Sequence, residues 1–288
     1  MSNYYKVEQA EEGHFRLNSK EHVFMDLFVG QDKALLLDTG NGFGELARQV
    51  KELTGDLPLA IVNTHGHIDH SGGNYQFEET CYLCQRDEQL IHQYNSYEKR
   101  LEAVEGAEHE VSIFTGEVEN NLPEDMDRET YLQGGCGHIA FIKEGDVFEL
   151  GGLTLEVFEF PGHTAGGIGL YWRQQDTMFV GDAMNSFVWM FLPESLMLSD
   201  YIKTLHKAYD LNFAYLYQGH APGRFDRSIL LDYINIAEHL DYDRGYDFQT
   251  PMCPDIKPKI CTLEGYGPND FLKPGFTSIV ISKEHIDI

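Results

Sequence analysis

The sequence predicts an α+β protein in which layered sheets are covered by helices. Three observations carry this. Helical and strand-like segments alternate along the chain, short strands and hairpins outnumber βαβ units, and the apolar runs stop at Gly or Pro. The 288 residues are long enough for one large domain with a full core. No repeat or low-complexity linker divides them, so a single domain over 1–288 is expected, with a polar insertion at about 96–137 and a Pro-rich extension at about 242–288.

Residues 23–29 and 33–38 read as a hairpin joined at Gly30-Gln31-Asp32. Leu46, Val50 and Leu53 recur at helical spacing, which predicts a helix over 44–53. Residues 59–63 are a short buried strand, and 87–92 a helix. From 96 to 137 the chain is polar, acidic and poor in strand signal, the pattern of a helical or loop insertion at the mouth of a site or at a subunit contact within a homodimer. Strands resume at 148–160 and 168–172. Helices follow at 201–209 and 228–240, the second with Leu231, Ile234 and Leu240 as an apolar stripe for the core. The tail holds Pro251, Pro254, Pro258, Pro268 and Pro274 around two strand-like pieces, 259–263 and 277–282, and reads as an addition to the main fold.

The net charge is −26, from 21 basic and 47 acidic side chains. Between Glu98 and Glu129 eleven acidic residues face three basic ones. A polyanion such as nucleic acid needs Lys and Arg clusters, and none is visible. No apolar run reaches the roughly 18 residues of a membrane span, and residues 1–12 lack the apolar core of a secretory signal. A cytoplasmic protein acting on a small molecule, with neither nucleic acid nor membrane as partner, is therefore expected. Five cysteines (Cys81, Cys84, Cys136, Cys253, Cys261) are an odd number and fit a reducing compartment. Cys81 and Cys84 form a C-x-x-C, but the intervening Tyr-Leu reads as strand.

Seven side chains carry the chemistry. Residues 64–70 read Thr-His-Gly-His-Ile-Asp-His, placing His65, His67, Asp69 and His70 within six residues. Imidazole nitrogen and carboxylate oxygen suit zinc, iron or manganese. His65 and His67 are two apart, so an extended segment would point both to one side. Asp69 and His70 follow where Ser71-Gly72-Gly73 makes a turn. The other ligand types come singly after strand-like runs that end at glycine: His163 after Pro161-Gly162, Asp182 after Gly181, His220 after Gly219. Loops at strand ends are where a rigid scaffold positions chemistry. Lone histidines such as His92 and His206 read as ordinary surface or core residues.

This motif set resembles that of the metallo-β-lactamase superfamily, over roughly residues 20–240. The His-x-His-x-Asp-His motif is matched by residues 65–70, the later His, Asp and His by His163, Asp182 and His220, and the early strand-terminal Asp by Asp38. The resemblance implies a four-layer αββα sandwich. It implies two divalent ions, zinc as the first expectation with iron or manganese as alternatives. The first ion takes His65, His67 and His163, the second Asp69, His70 and His220, and Asp182 bridges them. Asp38 and Thr164 would orient ligands, although turn chemistry accounts for them equally well. In such a site the ions would supply a metal-bridging hydroxide for attack on a carbonyl carbon and would stabilise the oxyanion, and Asp69 would pass a proton to the leaving group.

The resemblance narrows the substrate only in part. True β-lactamases of the superfamily carry cysteine where this chain has Asp182. Acyl-homoserine lactonases place tyrosine where Asn185 stands. The motifs look like those of hydroxyacylglutathione hydrolases, but that group carries a helical, basic C-terminal domain, whereas this C-terminus reads as strand-like and Pro-rich, which weakens the match. Flavodiiron members append a flavodoxin domain with a flavin-phosphate loop, which is not expected here, and Gly40-Asn41-Gly42-Phe43-Gly44 does not have the spacing of a dinucleotide loop. Phe187, Trp189, Met190 and Phe191 fit an apolar substrate pocket and the core equally well. The expected activity is hydrolysis of a small ester, thioester or lactone by a dinuclear metal centre. The alternatives are a redox member resembling the iron-dependent persulfide dioxygenases, and a metal-binding protein without turnover.

Overall fold

The computed structural model describes residues 4–111, 117–250, 253–270, 273 and 275–288. Residues 1–3, residues 112–116 of the polar segment, and Pro251 and Pro274 of the tail lie outside the described residues. The chain divides into two compact units, Met1–Leu155 and Glu156–Ile288.

The first unit is built on a seven-stranded sheet. Strands β1 (Lys6–Glu11), β2 (His14–Asn18), β3 (Phe24–Val29) and β4 (Ala34–Leu37) form an antiparallel meander. The expected hairpin is β3–β4. After helix α1 (Leu46–Thr54) the chain adds β5 (Leu59–Val62) parallel to β4. A single helical turn, α2 (Ile68–Ser71), leads to β6 (Thr80–Cys84), parallel to β5. Helix α1 buries Leu46 and Val50 against Met25, Leu27, Leu36 and Ile61. β3 and β4 are buried along nearly their whole length, which is why their sequences are apolar apart from Asp26, whose buried carboxylate is met by Arg16 and His14.

Helices α3 (Glu88–Tyr94) and α4 (Tyr97–Glu108) follow, then the ribbon β7 (Glu110–Val111) with β8 (Val118–Glu119), then α5 (Arg128–Gln133). The polar segment thus contains two helices with a small core of their own: Val104, Ala107, Tyr131 and Leu132 pack with Tyr4 and Phe43. β9 (His138–Ile142) closes the sheet parallel to β6. The expected single strand over 148–160 is interrupted. β10 (Val147–Glu149) ends at a turn where Gly151 and Gly152 have φ of 81° and 88°, a left-handed pair that only glycine adopts without strain.

In the second unit β11 (Thr154–Glu159), β12 (Ile168–Trp172), β13 (Thr177–Phe179), β15 (Tyr215–Tyr217) and β16 (Arg224–Asp226) follow one another in a sheet, with β13 and β15 parallel. A separate sheet has the order β14-β19-β18-β17, from β14 (Phe187–Met190), β19 (Ser278–Ile281), β18 (Lys259–Thr262) and β17 (Tyr246–Asp247). The tail is therefore no loose addition: β19 is fully buried and pairs in parallel with β14. Helices α6 (Leu198–Asp210) and α7 (Ile229–Glu238) join a core with Phe160, Met178, Leu216, Met190 and Ile279. The stripe expected on α7 is corrected. Its buried face is Ile229, Leu230, Tyr233, Ile234, Ile236 and Ala237, and Leu231 is 47% exposed. A helix packed on more than one side buries a wider face than one three-residue stripe reveals.

Candidate metal centre

In the first unit the ligand types cluster after β5. Residues 64–66 bend, so the segment is not the continuous extended run that would put His65 and His67 on one side. The two rings still converge, because the turn folds them edge-on with centroids 4.6 Å apart. His65 Nε2 lies 3.0 Å from His67 Nδ1. Two ring nitrogens that close must share a proton or a cation. Zinc–nitrogen bonds of about 2.0–2.1 Å put neighbouring ligand atoms of one tetrahedral ion roughly 3.3 Å apart, so the pair fits a metal. Gly66 permits the turn. A Cβ there would stand 2.8 Å from Ile91 N, while its own N–H donates to Asp87 Oδ2 at 3.1 Å.

Asp38, at the end of β4, is the support for this turn. Its Oδ1 accepts from Thr64 N at 2.7 Å, and its Oδ2 accepts from Thr64 Oγ1 at 2.9 Å and from His70 Nδ1 at 2.7 Å. Burial pushes the Asp38 carboxyl above its ordinary value, against the pull of His70 and Thr64. The contact fixes the His70 tautomer with its lone pair on Nε2, which lies 3.6 Å from Asp69 Oδ2. Thr64 Oγ1 is also 3.0 Å from His65 Nδ1.

Further residues hold the segment and carry no sequence motif. The His70 carbonyl accepts from Thr39 N and from Asn63 Nδ2, each at 2.9 Å. Asn74 Nδ2 donates to Asn63 Oδ1 at 2.8 Å. Arg100 is fully buried, and its guanidinium donates to the carbonyls of Gly72, Gly135 and Tyr131 and to Asn95 Oδ1. It lies 4.9 Å from the Tyr75 ring centre and 4.7 Å from that of Tyr131. An arginine inside the most acidic stretch of the chain reads as a surface charge, so the sequence offered no signal for it.

In the second unit His163 follows β11, and its Nδ1 lies 2.7 Å from the Trp189 carbonyl. That oxygen can only accept, so Nδ1 carries the proton and Nε2 the lone pair. Ser195 Oγ donates to the His163 carbonyl at 3.0 Å. Thr164 is fully buried, and its carbonyl accepts from Gly162 N at 2.9 Å. Asp182 follows β13. Its Oδ2 is 3.3 Å from His220 Nε2, and its Oδ1 accepts from Asn185 Nδ2 at 3.3 Å. Met190 and Phe191 are core, whereas Phe187 and Trp189 are half-buried. His92 and His206 are exposed; His206 pairs with Glu238 at 2.8 Å.

His65, His67, Asp69 and His70 in the first unit, and His163, Asp182 and His220 in the second, are side chains able to bind metal. The profile of the metallo-β-lactamase superfamily matches residues 24–244, and the chain belongs to that superfamily. It is 27% identical over 212 residues to a human acyl-coenzyme A thioesterase, MBLAC2, covering 69% of this chain and 72% of the relative. It is 24% identical over 155 residues to the hydroxyacylglutathione hydrolase GloC of Haemophilus influenzae, covering 54% and 62%. Among solved structures, a metallo-β-lactamase from Pontibacter korlensis aligns with a TM-score of 0.59 at 16% identity, over 82% of this chain and 99% of that one. A sec-alkylsulfatase from a Pseudomonas species aligns with a TM-score of 0.63 at 14% identity, over 83% and 42%. The fold is thus the α+β metallo-β-lactamase fold expected from the sequence, and the protein is a metallo-hydrolase of that superfamily.

Proposed function

We propose that the protein is a dinuclear metal-dependent hydrolase of small acyl substrates, thioesters first among esters, thioesters and lactones. His65, His67 and His163 would hold one ion. Asp69, His70 and His220 would hold the second, with Asp182 serving both. The observation that carries this is the fixing of the imidazoles. His65, His70 and His163 each have Nδ1 engaged by a protein group, Thr64, Asp38 and the Trp189 carbonyl, which leaves Nε2 as the ligand atom. Such fixing has a purpose for metal binding and none for a surface histidine.

Divalent ions bound there would lower the pKa of water toward ~7 and polarise an acyl carbonyl. The chain's own residues supply the rest. The Asp69 side chain is 32% exposed, the most open to solvent of the ligand carboxylates, and can accept a proton and return it to a leaving thiolate or alkoxide. Asn185 holds Asp182 by its Oδ1. Asp182 in place of cysteine argues against lactams. The preference for thioesters is supported by relatives named as an acyl-coenzyme A thioesterase and a hydroxyacylglutathione hydrolase. Zinc is the expected metal. The setting is cytoplasmic, with a small molecule as partner and neither nucleic acid nor membrane.

Elemental analysis of protein purified without added metal, with anaerobic assays on activated esters, thioesters and lactones, tests the reading. Two ions per chain and anaerobic thioester hydrolysis are expected. Asp182→Ala should lower both occupancies and remove activity, and His220→Ala should mainly lower one. One ion with full activity, or anaerobic silence while iron-loaded protein consumes oxygen with a persulfide, would overturn it.

A further inference from the structure

We infer that a cleft in the first unit binds the phosphorylated nucleotide end of the acyl carrier, so that the substrate is an acyl-coenzyme A and not a short acyl thiol. This rests on the thioester reading above. The cleft has a volume of about 600 Å³ and is lined by Lys6 on β1, Asn18 at the end of β2, Lys20 and His22 in the following turn, and Asn120 and Asn121 after β8. Glu119 is the one carboxylate of the lining. In a chain of net charge −26, two ammonium groups against one carboxylate among the lining residues mark a local reversal of sign, with the neighbouring Glu21 engaged by the Tyr4 hydroxyl. A phosphate or diphosphate is the ligand that such a reversal suits.

Three further features fit a ligand there. The Asn18 Oδ1 is buried and has no hydrogen-bond partner among the described residues. An orphaned acceptor in a polar cleft calls for a donor, which an adenine amino group or a ribose hydroxyl supplies. Asn120 Oδ1 accepts from Leu122 N at 2.9 Å, so what Asn120 can offer a ligand is its amide N–H. The turn carrying Lys20 is held by Ser19 N to Val23 O and His22 N to Ser19 O, each at 3.1 Å. His22 has φ of 58°, a left-handed conformation unusual for a side-chain-bearing residue and one that clusters at ligand clamps.

The sheet places this cleft relative to the ligand turn. Asn18 pairs with Phe24, Asp26 with Leu37, and Leu37 with Val62, so the end of β2 lies at the same end of the sheet as Asp38 and residues 63–70. Three strand spacings from β2 to β5 amount to ~14 Å. An extended arm of that order separates the acyl sulfur of coenzyme A from its diphosphate. The same acidity that rejects nucleic acid is compatible with one nucleotide at one basic cleft.

The probe is adenosine 3′,5′-bisphosphate, titrated calorimetrically into the full chain, together with steady-state kinetics on an acyl-coenzyme A and on the same acyl group carried by N-acetylcysteamine. The Lys6→Ala, Lys20→Ala double variant changes only exposed side chains and should fold. Bisphosphate affinity should fall, and KM for acyl-coenzyme A should rise, by at least ~10-fold. Its kcat and its kinetics on the truncated substrate should stay unchanged. Equal bisphosphate binding by both proteins, or equal KM for both carriers, would overturn the inference while leaving the hydrolase reading intact. Bisphosphate binding that depends on the lysines, with no thioesterase activity on either carrier, would uphold the cleft and overturn the thioester reading.

Discussion

The Asp38 carboxylate meets the His70 imidazole 2.7 Å away, with both side chains buried. Asp38 also holds Thr64, so one side chain sets the tautomer of a candidate ligand and the path of the turn that carries it. Asp38→Asn keeps the size and tolerates the left-handed φ of 62°, but it replaces the charged acceptor. Metal affinity should fall ~10–100-fold, as measured by competition with a chromogenic chelator. An unchanged affinity would show that the pair does not tune the ligand.

Arg100 ties helix α4 to the carbonyl of Gly72, the residue that caps α2. Removing it leaves the buried carbonyls of Gly72 and Tyr131, and the half-buried one of Gly135, without this donor. Arg100→Met should cost on the order of 3 kcal/mol in urea unfolding. Arg100→Lys should recover only part of this, because one ammonium cannot span partners arranged for a planar fork. Full recovery by lysine would mean that charge alone is required.

Asp26 accepts from Arg16 Nε at 3.0 Å and lies 2.7 Å from His14 Nε2. Burial alone would raise its carboxyl, but Arg16 and His14 outweigh that and hold it below the ordinary value. A depressed folded pKa gives stability above the unfolded value of about 3.9, lost as pH falls through the folded one. Asp26→Asn should therefore cost roughly 3 kcal/mol at pH 7, and the difference from wild type should shrink below pH ~4. Denaturant titrations across that range measure it, and a penalty independent of pH would contradict the assignment.

Burial pushes the Cys81 thiol up to about 12 and the Cys261 thiol up to about 11. Cys84 is buried as well, whereas Cys136 and Cys253 are half-buried. Iodoacetamide at pH 8 should label the native protein at Cys136 and Cys253 first, and reach Cys81, Cys84 and Cys261 only on unfolding. Peptide mass spectrometry reads the order. Native labelling of Cys81 as fast as in urea would contradict it.

The candidate ligands were legible in the sequence because ligand chemistry is a property of side-chain type and short-range spacing. His65, His67, Asp69 and His70 sit within six residues, and His163, Asp182 and His220 each come directly after a glycine that follows a strand-like run. The β3–β4 hairpin and the helix near 46–54 were equally local patterns. What supports the ligands was not local. Asp87, Asn63 and Asn74 are isolated polar residues without a motif, and Leu231 joined a plausible stripe yet faces solvent.

The sequence by itself determined the family, the α+β class and the identity of the candidate metal ligands. Only the tertiary structure decided how those ligands are held. The Asp38–His70 contact spans 32 residues, the His163–Trp189 contact 26, and the Arg100–Gly135 contact 35. Whether a buried polar group meets a partner at such separations depends on which strands pair and which helices pack, and no local periodicity encodes that. The tail shows the same limit: β19 looks like a short apolar run near the end of the chain, and its place beside β14 exists only once the sheet has formed.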